Sequence, residues 1–499
     1  MPHTDVTDSA TPQAVADDEL PNDIPTATHD DASTGLGVMP RGIAVALLCL
    51  VAYATTYGQH LSDALAGSRV AYLVVLPVLA LVIATGYRTT SHGVGDGESD
   101  WIVAALIGIL GLAAIYLLVG RMPTLSAWWR LESLSVVVWA VCCVVILFGM
   151  RHALSMWSLW LFLAVFATPV PFLAATAALG GTDTAGVLVA AAIGAVAVFL
   201  ATRTTTLSRR AFAATLSFLA GVPLALNCAV WFLPTVLVAA GVIPILVVVV
   251  ARLVPSRRGA RSGSRPISAG MPHRSARTLV LLTAGTAVLV VAGIGNHQSA
   301  PQRSMPADWL ARAGLNPVQS YGFATEFAGP GATLIRYGVP AQTGMPAAAV
   351  DVLSTPNEAA LDDLSDVVWY PSGRPVSYRS VASSAAIPAG TRDIHSDADA
   401  AADAGGQDWY AMTWTQRAGS LFQRVTVIVT QSLSEDQAPP APQPPDVLDD
   451  SVGSWLWMSR QRPQGLDHVD PLVTQRATTL AATISRLPKN PSPRGPADQ

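Results

Sequence analysis

Between Gly42 and Ala292 the apolar residues fall into about nine stretches close to bilayer length, separated by short polar turns. Crossing roughly 30 Å of hydrocarbon takes about 20 apolar residues in a helix. In lipid every backbone N–H and C=O must be satisfied within the protein, so such stretches read as helices. The spans are placed at 42–58, 69–87, 101–120, 133–150, 155–178, 185–202, 210–232, 235–253 and 277–295, with boundaries soft by several residues. Only a short turn at Pro234 separates the seventh from the eighth, and one long kinked element is the alternative.

Beyond the last span the texture changes. Residues 296–487 carry no cysteine and show alternating runs of the kind a half-buried strand produces. Strands are expected at Ala332–Val339, Ala349–Ser354, Val367–Tyr370, Val376–Val381, Trp409–Gln416 and Leu421–Ser432. Arg417-Ala418-Gly419-Ser420 joins the last two as a hairpin turn. A helix is expected at 472–486, with a Pro-rich linker, 438–445, some way before it. The fold class that follows is a polytopic α-helical membrane protein with a C-terminal extracytoplasmic α+β domain.

The ends differ from both parts. Residues 1–40 are acidic and poor in large apolar groups, which predicts a disordered cytoplasmic tail. They lack the basic start of a signal peptide, and the first apolar run begins too far in. Residues 488–499 read as a second disordered tail. The net charge of −4 gives no reason to expect nucleic acid as a partner. Cys49, Cys142, Cys143 and Cys228 all lie in apolar spans, so no disulfide framework is expected in the outer domain.

Arginine bias sets the expected orientation. The loop 254–276 and its borders carry Arg252, Arg257, Arg258, Arg261, Arg265, Arg274 and Arg277 without an acid, and should be cytoplasmic. Counting back places Arg203, Arg209 and Arg210 inside, with Arg151, His152 and the N-terminus. The Gly180–Asp183 loop and the C-terminal domain then fall outside. Arg121 and Arg130 run against this scheme, because it places them outside too. The cluster reads as an anchor at anionic lipid headgroups or, more sharply, as a dock for a cytoplasmic protein.

The spans hold no metal motif, phosphate loop, dinucleotide fingerprint or hydrolase elbow, and no cofactor is expected. Charge within them is scarce, which disfavours an ion-coupled transporter. The polar groups that orientation gathers at the outer face are Asp183, Thr184 and Asn227. The plain reading makes Asp183 or Thr184 the cap of the sixth span and Asn227 a hydrogen bond between helices.

Several short motifs in this order resemble the exosortase/archaeosortase family. Ser62-Asp63 leads through Leu76-Pro77 to Tyr87-Arg88. Gly149-Met150-Arg151 is followed by Trp160-Leu161-Phe162 and Pro169-Val170-Pro171. Leu207–Arg210 is followed by Gly221-Val222-Pro223-Leu224-Ala225-Leu226-Asn227. The resemblance covers 42–253 and implies a helical membrane core that handles secreted proteins. It also implies a thiolate that attacks a peptide carbonyl, with basic groups that activate it and hold the oxyanion. Here the sequence departs. Thr184-Ala185-Gly186 stands where the family has Cys-Ser-Gly, Val230 stands where an arginine is expected, and the eighth span has no histidine. Thr184 would have to serve as nucleophile with Asp183 as its base.

In the outer domain Asp393, His395, Asp397, Asp399 and Asp403 suggest either a Ca²⁺ site or, more simply, a solvated loop. Trp369, Tyr370, Trp409 and Trp414 are expected in the core. Trp455 and Trp457 are expected there too, or on a glycan or the membrane surface. The sequence thus supports an exosortase-like envelope protein, catalytic or degenerate, acting in protein sorting or surface-polymer assembly. Its partners would be membrane lipids and a secreted or surface protein. The alternative is a non-enzymatic anchored protein whose outer domain binds an envelope partner.

Overall fold

The computed structural model describes residues 38–87, 97–228, 231–253, 276–293, 303–372, 376–382, 387–396, 407–433, 437–445 and 469–486. The acidic tail, the arginine-rich loop 254–275, Asp397, Asp399, Asp403, Trp455 and Trp457 lie outside these residues.

The helical part begins with α1 (Val38–Ala52) and α2 (Ala54–Leu65), then α3 (Leu76–Ala84), α4 (Gly97–Arg121), α5 (Pro123–Trp128), α6 (Leu134–Phe148) and α7 (Met150–Ser155). It continues with α8 (Trp157–Phe166), α9 (Val170–Ala178), α10 (Asp183–Ala201), α11 (Leu207–Cys228), α12 (Phe232–Val236), α13 (Ile243–Leu253) and α14 (Ala276–Gly293). Among the described residues five helices are long and apolar enough to cross a membrane, and up to seven crossings result if each of two bent pairs counts as one. The bends are 73° between α1 and α2 and 66° between α8 and α9. The expected second span is a four-residue tight turn, Ala71–Val74, followed by the nine-residue α3. α11 ends at Cys228 and α12 begins at Phe232, which separates the seventh expected span from the eighth, and α12 runs on through a wide turn, Leu237–Val242, into α13.

The bend between α8 and α9 has a clear cause. Pro169 and Pro171 remove backbone donors and free carbonyls inside an apolar environment. Thr168 Oγ1 donates to the Val165 carbonyl at 2.9 Å. The Tyr72 hydroxyl lies 3.0 Å from the carbonyls of both Phe166 and Thr168, and its ring stacks on Phe172 at 4.4 Å. Protein side chains therefore satisfy the Val165, Phe166 and Thr168 carbonyls at the break.

The two ends of the helical bundle differ in character. At one end Arg41 donates to the Leu147 carbonyl at 2.9 Å, and Asp100 accepts from the Met150 backbone at 3.0 Å. At the same end Arg203 reaches the Ser155 carbonyl and lies over the Tyr87 ring at 4.0 Å, while Arg252 donates to Thr85. The other end carries the sheet domain.

That domain contains β1 (Arg303–Met305), α15 (Trp309–Arg312), β2 (Asn316–Tyr321), α16 (Phe323–Ala328), β3 (Thr333–Gly338), β4 (Ala348–Thr355) and α17 (Glu358–Asp362). It ends with β5 (Arg379–Ser380), β6 (Arg392–His395), β7 (Trp409–Ala418), β8 (Leu421–Thr430) and α18 (Pro471–Ser485). The sheet order is β2-β3-β4-β8-β7-β6-β5, with neighbours antiparallel, and β1 pairs parallel to β7. Gly419, at φ +61°, opens the two-residue turn that pairs Ala418 with Leu421, a position that favours glycine. Alternation decides the two faces. Val350, Val352, Val425, Val427 and Val429 meet Val473, Ala477, Ala481 and Ile484 of α18, spaced as one helix stripe. Leu334, Leu353 and Ile428 face the other way, toward 361–376 and the helical bundle.

Three sequence expectations need correction here. Val367–Tyr370 is not a strand; Trp369 and Tyr370 are buried in an irregular segment against the sheet. Of 376–381 only Arg379 and Ser380 pair. Asp393 and His395 lie on β6 rather than in a solvated loop, because β6 pairs with β7 from Arg392 to His395.

Candidate functional site

One set of charged groups that the fold brings together lies at the junction of the bundle and the sheet domain. The turn Gly67-Ser68-Arg69, between α2 and the tight turn before α3, is captured by α17. Asn357 caps α17 by accepting from the Ala359 backbone at 3.1 Å, and its amide donates to the Gly67 carbonyl at 2.5 Å. Asp363 follows α17 directly. Its carboxylate accepts from the Ser68 hydroxyl at 2.8 Å, the Arg69 backbone at 2.8 Å and Arg130 Nη2 at 2.8 Å. Its side chain is 3% exposed. A carboxylate this deep needs its lone pairs filled, and these donors fill them.

The Arg69 side chain turns the other way, into the bundle. Its Nη1 meets Asp183 Oδ1 at 2.5 Å and its Nη2 donates to the Gly181 carbonyl at 2.6 Å. The guanidinium lies 5.5 Å from the Phe232 ring centre and packs against Gly329 of the sheet domain. Arg69 thus joins the turn before α3, the start of α10, the start of α12 and the sheet domain.

Arg130 is held at φ +47°, the left-handed region, and among the described residues no other non-glycine has a positive φ. Such a backbone costs about 1–3 kcal/mol and persists where the surroundings over-determine it. The bond to Asp363 and the approach of His60 Nδ1, at 3.4 Å, do so here. Of the two arginines that run against the orientation scheme, Arg130 is therefore part of an ion pair between the bundle and the sheet domain.

Around these charges the contact is apolar. Trp128, Val170, Tyr321, Ala324, Phe327 and Trp369 pack in one cluster that spans the junction. Thr124 donates to the Val376 carbonyl at 2.7 Å. Gly181, at φ +65°, lies against the backbone of Glu326, where an added Cβ would come within 2.3 Å. The Asp362 carboxyl at this surface is perturbed. Desolvation, then the charges of Glu358, Asp363 and Asp63, push the Asp362 carboxyl up to about 6, while Arg130 pulls it back.

The three residues singled out from sequence separate. Asp183 belongs to the junction through Arg69. Thr184 is its neighbour in the first turn of α10, but the cap of that helix is Thr182, which accepts from the Ala185 backbone at 3.1 Å. Thr182 has the extended backbone a cap needs, whereas Asp183 is already helical. Asn227 is exposed, and its amide donates to the Pro223 carbonyl at 2.8 Å within its own helix. It does not bond to another helix in that contact. Sequence reasoning missed Arg69 and Asp363; the misfit of Arg130 was the available signal for the latter.

Cys49, Cys142 and Cys143 are free and lie within α1 and α6, away from this cluster. Among the described residues no group of three or more His, Cys, Asp or Glu is placed to hold a metal ion. Comparison with family models, curated proteins and solved structures finds no significant match for the chain.

Proposed function

We propose that this protein is a non-enzymatic envelope protein of the cell membrane, in which the helices anchor and orient a sheet domain that recognises an envelope partner. The observation that carries this reading is the use of the junction charges. Arg69, Arg130, Asp183 and Asp363 are bound to one another and to backbone, so they join two parts of the chain. With Asp183 engaged by Arg69, the base assigned to Thr184 is already committed. In this reading the chain crosses the membrane nine times. The end with Arg41, Arg203 and Arg252 faces the cytoplasm, as the arginine bias favours, and the sheet domain is extracytoplasmic. A photo-crosslinking residue at exposed positions of the sheet domain such as Val318 tests it. A discrete adduct with an envelope protein is expected; no adduct from any exposed sheet-domain position would overturn the reading.

A second reading rests on Thr184 lying beside the Arg69–Asp183 pair. An exosortase-like enzyme would use these groups in protein sorting. Thr184→Ala, Asp183→Ala and Asn227→Ala, scored on processing of a co-expressed secreted substrate, decide this. Unchanged processing in all three ends the catalytic version.

A further inference from the structure

Residues 437–445 read Gln-Ala-Pro-Pro-Ala-Pro-Gln-Pro-Pro and form an extended strap on the sheet domain. Pro439 and Pro442 are buried, whereas Ala438, Ala441, Gln443 and Pro444 are exposed. Burial every third residue is the repeat of a polyproline II helix, which has three residues per turn and no internal hydrogen bonds. Among the described residues three hydrogen bonds hold the strap, and each is made by its backbone. Arg336 Nη1 donates to the Pro439 carbonyl at 3.1 Å, and Arg336 Nη2 to the Pro440 carbonyl at 2.7 Å. The Gln443 backbone donates to the Trp369 carbonyl at 2.7 Å. The receiving side is preorganised. Arg336 is fixed by two bonds to Asp351, at 2.8 and 2.7 Å, and Asp351 also accepts from the Tyr370 hydroxyl at 2.7 Å. Past the strap, a groove of about 370 Å³ opens beside Pro444 and Pro445, lined by Phe327, Glu326 and the alanines of α9.

We propose that this face of the sheet domain is a receptor for polyproline II segments, occupied by its own strap and open by exchange to a Pro-x-x-Pro segment of a partner protein. The proposal rests on the reading of the sheet domain as the partner-binding part, and it names the partner's chemistry. Arg336 reads backbone carbonyls, which any such chain presents, and the Trp369 carbonyl takes an N–H, which calls for a residue other than proline directly after the second buried proline. Prolines at the two buried positions supply the sequence requirement. A polyproline segment is already extended before it binds, so it loses little entropy on docking.

The test uses the full-length protein in detergent and a labelled peptide of sequence QAPPAPQPP, followed by fluorescence anisotropy. A Pro439→Ala, Pro442→Ala variant, with its strap loosened, should bind the peptide about tenfold more tightly than the wild type, because the site is freed more of the time. A control peptide with alanine at the two matching positions should not bind. Equal binding of both peptides, or no gain in the variant, overturns the proposal. If the double variant unfolds in a thermal scan, Pro442→Ala alone is read the same way. Peptide binding that fails while cross-links from Val318 persist would remove this proposal and leave the partner-binding reading in place.

Discussion

Arg69 and Asp183 stand 114 positions apart in sequence and 2.5 Å apart in space, at the point where the helical bundle meets the sheet domain. The Arg69 side chain is 8% exposed and that of Asp183 is 37%. The pair therefore sits at the edge of the junction, and the deeper anchor is Asp363.

That difference in depth sets an order of effects. Asp363→Ala leaves the Ser68 hydroxyl, the Arg69 backbone donor and Arg130 without their acceptor, at a cost of about 3–5 kcal/mol. Asp183→Asn, where water can take over, should cost about 1 kcal/mol or less. Thermal unfolding in detergent checks both, and an equal loss in the two variants would contradict this ranking.

Asp362 gives the junction a pH dependence of known sign. Its carboxyl is raised in the folded protein from the ordinary value near 3.8 to about 6. The folded state thus holds the proton more tightly, and its contribution is fully present below about pH 4 and lost as pH rises through about 6. Because the side chain reaches solvent, the effect on stability should stay below about 1 kcal/mol. Asp362→Asn should flatten the change in stability between those two values; an unaltered pH profile would show that other groups carry it.

Gly181→Ala should loosen the same contact from the bundle side. The left-handed backbone alone costs a side chain at least about 1 kcal/mol, and the new Cβ would overlap the Glu326 backbone, which cannot rotate away. Faster proteolysis at the junction is the expected readout. A Gly180→Ala comparison, with open space around it, isolates the clash from the backbone cost.

Orientation can be read chemically. In a background with Cys49, Cys142, Cys143 and Cys228 replaced by alanine, a Gln319→Cys variant should react with an impermeant maleimide in intact cells. A Thr204→Cys variant should react only after permeabilisation. The reverse pattern would invert the proposed topology.

The long helices were legible because apolar length is a strong signal, whereas the expected span 69–87 is a tight turn and the short α3; the four long strands were legible because β-branched alternation is a strong signal too. What escaped has physical reasons. β1, β2 and β6 are short or polar: β2 carries Pro317 and is exposed along Asn316–Ser320, as an edge strand is. Val367–Tyr370 has strand-forming residues, yet tertiary packing of Trp369 overrides that preference. At the junction Asp183 was legible because it stands in a polar loop between spans. Its partner Arg69 was not, since nothing local marks a single arginine for a carboxylate so far along the chain. The same distance hid Ser68 and Arg130 from Asp363.

The separation also orders events in time. Arg69 precedes its backbone acceptor Asp363 by 294 residues, which at about 5–20 residues per second takes on the order of 15–60 s to synthesise. For most of that interval the Gly67–Arg69 turn can gain its Asp183, Gly181 and Phe232 contacts but not those of α17, and the face that later seats α17 stays open to whatever occupies the membrane surface. A nascent chain stalled in this window would present an unclaimed turn, which gives chaperones and proteases a feature by which to tell an unfinished molecule from a finished one.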